Sequence, residues 1–267
     1  MNPIFLPSQL WRHRGLTTRL IEREVQQRYR GSVLGLLWTM VHPLLSLAVY
    51  TFVFTVIFQP RTATGTITRT EYVVRLFCGI VVYGLFAETA ARAPGLIVSK
   101  PNFVKQVVFP LEILPVVSLG TALVSFGAGV LIVLIAAGVL LHSFSTTLWL
   151  LPVVLLPLLA LALGMGWFLA SLGVFLRDTQ HVVRAAVQLL FFLTPIVWTV
   201  DLIGEHWRPL VNLNPLAVVV GASREVLIYG HYPHWGQWGM AMGVSLAILM
   251  AGYAWFVKTR KGFADVL

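Results

Sequence analysis

Long apolar runs separated by short polar, mostly basic interruptions set the pattern of this chain. The runs cover residues 33–58, 72–91, 111–141, 148–176, 182–200 and 235–257. A helix needs roughly 20 mostly apolar residues to cross about 30 Å of hydrocarbon, and all six stretches meet or approach that length. The first and last contain no Asp, Glu, Lys or Arg, the second holds Arg75 and Glu88 near its ends, and the fifth contains Pro195. The third and fourth are longer than a perpendicular span requires, so they tilt or begin in the interface. None alternates as the strands of a closed barrel do, and an open sheet would leave its edge groups unpaired in lipid. The pattern predicts an all-α integral membrane protein with six transmembrane helices. It forms one domain over 1–267: an interfacial segment at 1–32, a six-span bundle at 33–257 and a tail at 258–267. A signal peptide does not fit the first run, which starts late, is too long and lacks a small-residue cleavage site.

Composition strengthens this picture. Of 267 residues, 58% are hydrophobic and only 11% charged, against about 25% charged in a soluble domain; the mean hydropathy is +0.83. Soluble enzymes, DNA-binding domains and disordered chains are poor fits. The net charge of +9 then bears on orientation. With the N-terminus inside, fourteen Lys and Arg fall in inner segments, from Arg12 through Arg92, Lys100, Lys105, Arg177 and Arg184 to Lys258, Arg260 and Lys261. Outer loops hold only Arg61, Arg69, Arg208 and Arg224. The positive-inside rule places both termini in the cytoplasm. Cys78 is the single cysteine, so neither an intrachain disulfide nor a cysteine-built metal cluster can form.

Three segments do not span. At about 100° per residue, Arg19, Arg23, Gln26 and Arg30 share one face of a helix over 16–30, and Ile21, Val25 and Tyr29 share the other. This is an amphipathic interfacial helix, serving either as a topology anchor or as a lever for a cytoplasmic partner; Gly31 and Ser32 provide the bend after it. The inner loop 92–110 is either a connector or a short docking helix. Within the outer segment 201–234, Asn214-Pro215 reads as an N-cap followed by Pro at the first helical position. Residues 216–222 then lead through Arg224 and Glu225 to Gly230. That segment is too short to cross and reads as a re-entrant gate or an outer cap.

Chemical groups inside the spans are few. Arg75 and Glu88 are too far apart along one helix to pair; Arg75 snorkels outward and Glu88 meets Arg92 four residues on. Proton or sodium coupling needs more than this. An intramembrane enzyme would need clustered carboxylates or an activated base, but Asp178, Asp201 and Asp265 are scattered and the histidines lack ligand spacing. No catalytic or metal-binding residue is expected. No GxxxxGK[ST] loop is present, so ATP would have to be used by a separate subunit. Such a subunit is offered the interfacial helix, the 92–110 and 177–184 loops and the basic tail. Aromatic residues in or near the spans, including Trp38, Tyr50, Phe52, Phe54, Phe58, Tyr83, Phe86, Phe191, Phe192 and Trp198, serve packing and the interfacial belt, or in part line a route on which sugar faces stack. Small residues in the fourth span (Ala160, Gly164; Ala162, Gly166, Ala170) permit close helix packing.

Three stretches carry a family likeness: EREVQQRYRGSVLGLLWTMVHPLL at 22–45, FLRDTQHVVRAAVQLLFFLTPIVW at 175–198 and LNPLAVVVGASREVLIYG at 213–230. Their order and spacing resemble the permease subunits of type-2 ABC exporters, in particular those exporting O-antigen, capsule or teichoic-acid polymers. The resemblance implies a homodimer in the bacterial inner membrane, clamped on two copies of an ATPase subunit that carries ATP and Mg. It implies a polymer path at the dimer axis, lined by the first, second and fifth spans, with Trp38, Phe52, Tyr83, Phe86, Phe191, Phe192 and Trp198 as candidates. Coupling to the ATPase would fall to Glu22, Arg23, Gln26 and Arg30 on the interfacial helix. Ser99, Lys100, Asn102, Phe103 and Lys105 would form the coupling helix. Arg28 and Arg30 would meet the diphosphate head of a polyprenyl-diphosphate-linked polysaccharide, and Asn214, Pro215, Arg224 and Glu225 would belong to the outer re-entrant helices. Two alternatives stay open: an ABC permease for a small amphipathic substrate, and a membrane enzyme or scaffold working without ATP.

Overall fold

The computed structural model describes residues 11–53, 56, 68–105, 109–142, 145–200, 204–207, 209, 211 and 213–267; the side chains of Tyr29, Leu36, Val104 and Lys105 lie outside that description. The described residues are mainly helical and include no strands. Among them four helices are long and apolar enough to cross a membrane: Arg69–Arg92, Ile113–Leu140, Leu148–Phe175 and Trp235–Val266. The chain is a membrane protein.

The first helix, α1, runs Arg14–Tyr29. Its apolar side faces the bundle: Ile21 fills a notch at Gly120, where a Cβ would collide with the Ile21 Cδ1. Arg19, Arg23, Gln26 and Arg30 are exposed and Ile21 and Val25 half-buried, as the faces read from the sequence require at those residues. The chain turns at Gly31, whose φ of +84° is open to glycine and strained for other residues. A 3₁₀ turn at Gly35–Leu37 follows, and α2 begins only at Trp38, running to Phe52. The expected start at residue 33 is therefore five residues early. The end of that run, including Phe54 and Phe58, lies outside the described residues.

Helix α3 (Arg69–Arg92) opens on a cap in which the Thr68 hydroxyl accepts from the Glu71 N–H at 3.2 Å. Two short helices, α4 (Gly95–Val98) and α5 (Pro101–Lys105), occupy the loop read as connector or docking helix. Helices α6 (Ile113–Leu140) and α7 (Leu151–Phe175) match the third and fourth runs. Helix α8 covers Thr179–Leu193, and here a continuous span over 182–200 is corrected. Pro195 disfavours helical backbone at residue 194, and Thr194 is extended with φ −93° and ψ 137°. With 15 residues each, α2 and α8 are about 22 Å long at 1.5 Å per residue.

Asn214 caps α9 (Pro215–Arg224) as its sequence predicts, its side chain accepting from the Leu216 N–H at 3.0 Å. A π turn over Glu225–Tyr229 ends at Gly230, which has a φ of +70°. Helix α10 covers Trp235–Thr259 and α11 Phe263–Val266. The tightest packing joins α7 to α10, where a Cβ on Gly164 would lie 2.7 Å from the Ile248 carbonyl oxygen. The small-residue motif of the fourth run is thus used for close approach.

Candidate functional site

The ends of the long helices define two regions. At one, called here the basic end, α1, α4, α5 and the C-terminal residues meet. At the other, α9 is buried among α3, α7 and α10.

At the basic end, α1 and the α4–α5 segment enclose a cavity of about 330 Å³ lined by Arg23, Glu24, Ser99, Lys100, Asn102 and Phe103, among others. Residues assigned to coupling from two distant stretches thus form one surface. Lys100 donates to the Glu24 carboxylate, which draws α5 against α1. The two-faced pattern of α1 does not single out Glu24: at about 100° per residue it falls between the basic and the apolar faces, and a carboxylate at that boundary is the signal for a cation on a neighbouring segment. Glu22, Arg23, Gln26, Arg30, Ser99 and Asn102 are exposed. The Phe103 ring stacks on Phe109 with centroids 4.2 Å apart.

The tail differs from an open docking strip. Arg260 pairs with Glu112, and the Phe263 ring is fully buried, packed with Phe256 and Phe175. Trp167 donates from its indole N–H to the Glu112 carbonyl at 3.0 Å. Ile97, Leu114 and Trp167 belong to the same apolar cluster, and Phe103 packs against it. Only Lys258 and Lys261 among the basic tail residues stay exposed. Phe263 had no signal in the sequence beyond being aromatic in a polar tail.

A second cavity, about 610 Å³, lies between the C-terminal part of α1, α2, α3 and α6; Arg28, Trp38, His42, Glu88 and Ser125 contribute its polar wall. Arg28 donates to Glu88 at 2.7 Å and to Ser125 at 3.0 Å. Arg92 stands 3.7 Å from Glu88, so the expected helix-surface pair exists but the stronger partner of Glu88 is Arg28. Trp38 donates to Ser32 at 2.9 Å.

The aromatic candidates divide. Phe52 and Phe192 are exposed, the latter at 62%, and Trp38 is exposed at the edge of the cavity. Tyr83 and Phe86 are buried in the core, Tyr83 at 4%. The Tyr83 hydroxyl donates to the Val187 carbonyl and its ring meets Phe191 edge-on at 5.5 Å. These two therefore support α8 from behind. Trp198 is half-buried and donates to the Phe192 carbonyl at 2.8 Å.

At the opposite end, Arg224 is buried and donates to three main-chain carbonyls, those of Arg75, Pro195 and Ile196. Glu225 meets His231 at 3.0 Å on the exposed side. Tyr229 donates to Glu71 at 2.9 Å. Ser145 and Thr147 donate to the Val226 carbonyl, fastening the π turn to the start of α7.

Comparison with known proteins gives this arrangement its context. Residues 16–228 match the family model described as ABC-2 type transporter. The chain belongs to that family. An ABC-2 chain is the membrane-spanning component of a transporter. This one is 31% identical to the O-antigen export system permease protein RfbA of Myxococcus xanthus, over 98% of this chain and 99% of the relative. A Klebsiella pneumoniae protein of the same name is 23% identical over 93% of each chain. The polysialic acid transport protein KpsM of Escherichia coli is 25% identical, over 91% and 92%. The family match reaches from α1 through α9, and the similarity to the Myxococcus xanthus protein covers 98% of the chain, so both ends described above fall inside it.

Proposed function

We propose that this ABC-2 chain is the membrane subunit of an ATP-driven exporter of lipid-linked polysaccharide, O-antigen first and capsule next. Two copies form the conduit, and two copies of a separate ATPase subunit, holding ATP and Mg, drive it from the basic end. Supporting this reading is the end-to-end similarity to relatives named for O-antigen export and polysialic acid transport. The cavity where α1 meets α4–α5 supplies a place for the drive to act. In this reading the basic end is cytoplasmic, in a bacterial inner membrane, as the positive-inside rule requires. Helices α2 and α8 complete a six-span protomer, and α9 with the π turn is the re-entrant outer gate, with Asn214, Pro215, Arg224 and Glu225 as its fixed points.

The mechanism follows from which helices are joined. Closure of the ATPase pair around ATP pushes on α5 through Asn102 and Phe103 and on α1 through Glu22, Arg23, Gln26 and Arg30. Because Lys100 holds Glu24, the two helices respond together. Arg28 hands the motion to α3 through Glu88, and exposed Arg30 meets the diphosphate head of the carrier lipid. Phe52, Phe192, Trp38 and Trp198 offer ring faces to passing sugars, with Tyr83, Phe86 and Phe191 as their backing. Stacking is tolerant of sugar identity, as a polymer path requires.

The test is co-expression with an ABC-type ATPase subunit in a strain deleted for its own O-antigen exporter. Restored surface polysaccharide supports the reading, and restoration by the permease alone sinks it. Arg23→Glu with Asn102→Asp should abolish ATPase co-purification while leaving the permease folded.

A further inference from the structure

One buried cation is used by neither the docking surface nor the path. Arg224 closes α9 and is only 5% exposed. Its Nε donates to the Arg75 carbonyl at 3.0 Å, its Nη1 to Pro195 at 2.8 Å and its Nη2 to Ile196 at 2.9 Å. The need for such a donor is local. Helix α8 stops at Leu193, Pro195 has no N–H, and the carbonyls beyond the helix end lack helical partners. At membrane depth such groups must be satisfied within the protein. Gly79 on α3 makes the space: a Cβ there would lie 2.7 Å from the Arg224 Nη2 and 3.3 Å from the Ile196 Cγ2. The same strip is tied twice more, by Tyr72 donating to the Val197 carbonyl at 2.6 Å and Asn214 donating to the Thr194 hydroxyl at 3.5 Å.

The rest of α8 is held differently. Only Thr179 and Val183 of this helix are buried, both in its first half, and a groove of about 500 Å³ runs beside it from Thr179 to Leu190, walled by Phe86, Ala90, Leu169 and Phe175. No side chain of its second half is buried, so that half depends on ties to main-chain groups: the Tyr83 hydroxyl on the Val187 carbonyl and the bonds beyond Leu193.

We propose that Arg224 is a positioning residue that pins residues 194–196 to α3 and thereby fixes the second half of α8 in place. Use of that placement in transport rests on the reading of α8 as a wall of the path; the pin itself is a property of the chain alone. Lysine cannot replace it, because one ammonium nitrogen does not span carbonyls on two segments as a guanidinium does.

The experiment uses the purified full chain in lipid nanodiscs, in a Cys78→Ala background, with labelled chain diluted in unlabelled chain. Spin labels at Leu193 and Trp149 report the pinned end, and labels at Val182 and Val98 report the start, which Thr179 and Val183 seat. The native chain should give a narrow distance distribution for both pairs. In Arg224→Lys the first pair should broaden and the second stay narrow, with helix content retained; Gly79→Ala, which keeps the arginine but displaces it, should do the same. A first pair that is broad in the native chain overturns the proposal, as does one that stays narrow in both variants. These distances need neither ATPase nor polysaccharide, so failure of the export reading leaves them standing. In cells, Arg224→Lys should keep its ATPase partner yet lose surface polysaccharide; full export by that variant also counts against the pin.

Discussion

The two ends of the molecule solve the same problem, holding helices together, with different bonds. At the basic end the ties are ion pairs between side chains: Arg28 with Glu88, Lys100 with Glu24, Arg260 with Glu112. Each is partly exposed, and water can replace either partner at little cost. At the opposite end a buried guanidinium holds main-chain carbonyls, and no solvent competes. The difference teaches that adjustable joints sit where a partner would push, and fixed joints sit where helices α8 and α9 break off.

The comparison is broken most directly at Arg224. Hydrogen bonds to a charged group contribute about 1.5–3 kcal/mol each, and Arg224→Met removes three of them at once. It should cost more than any single change at the basic end in detergent-titrated unfolding. Equal cost for Arg28→Met would erase the distinction. Next in size is Phe263→Ala, at about 3–5 kcal/mol for a buried ring. Because Phe103 packs on the same cluster, this variant should also weaken ATPase co-purification, and Phe263→Leu should recover most of it. Glu112→Gln, which leaves Arg260 without its carboxylate, should cost on the order of 1 kcal/mol. The smallest effect is expected at Glu24 and Lys100. Either charge reversal alone should cost about 0.2–1 kcal/mol, and the double exchange should restore stability. At 1 M salt, where the screening length is about 3 Å, the differences among these Glu24 and Lys100 variants should vanish while the Arg224→Met loss persists.

Much of this was legible in advance. The long apolar runs became α3, α6, α7 and α10 within a few residues, because helix is the structure that satisfies its own backbone in lipid. The Asn214 cap and the two faces of α1 followed from local chemistry and periodicity. The ends of α8 were misread, since a run of apolar residues hides a proline's effect on the residue before it. Among the candidate site residues, Arg23, Lys100, Asn102 and Phe103 line one cavity. Tyr83 and Phe86 were placed in the core, because an apolar helix gives no periodic sign of which face meets protein and which meets lipid.

The sequence by itself determined that this is a helical membrane protein of the ABC-2 family, with its positive charge gathered at one end and no phosphate loop of its own. Those properties depend on composition and on spacing along one helix. Only the tertiary structure decided that Glu24 faces Lys100, that Phe263 is a core residue, and that Arg224 reaches across to Gly79 and the carbonyls after Pro195. Glu24 and Lys100 are 76 positions apart, Arg224 and Arg75 are 149 apart, and Phe263 meets Phe175 at the far end of another helix. No local pattern encodes such a meeting; the packing of the long helices does.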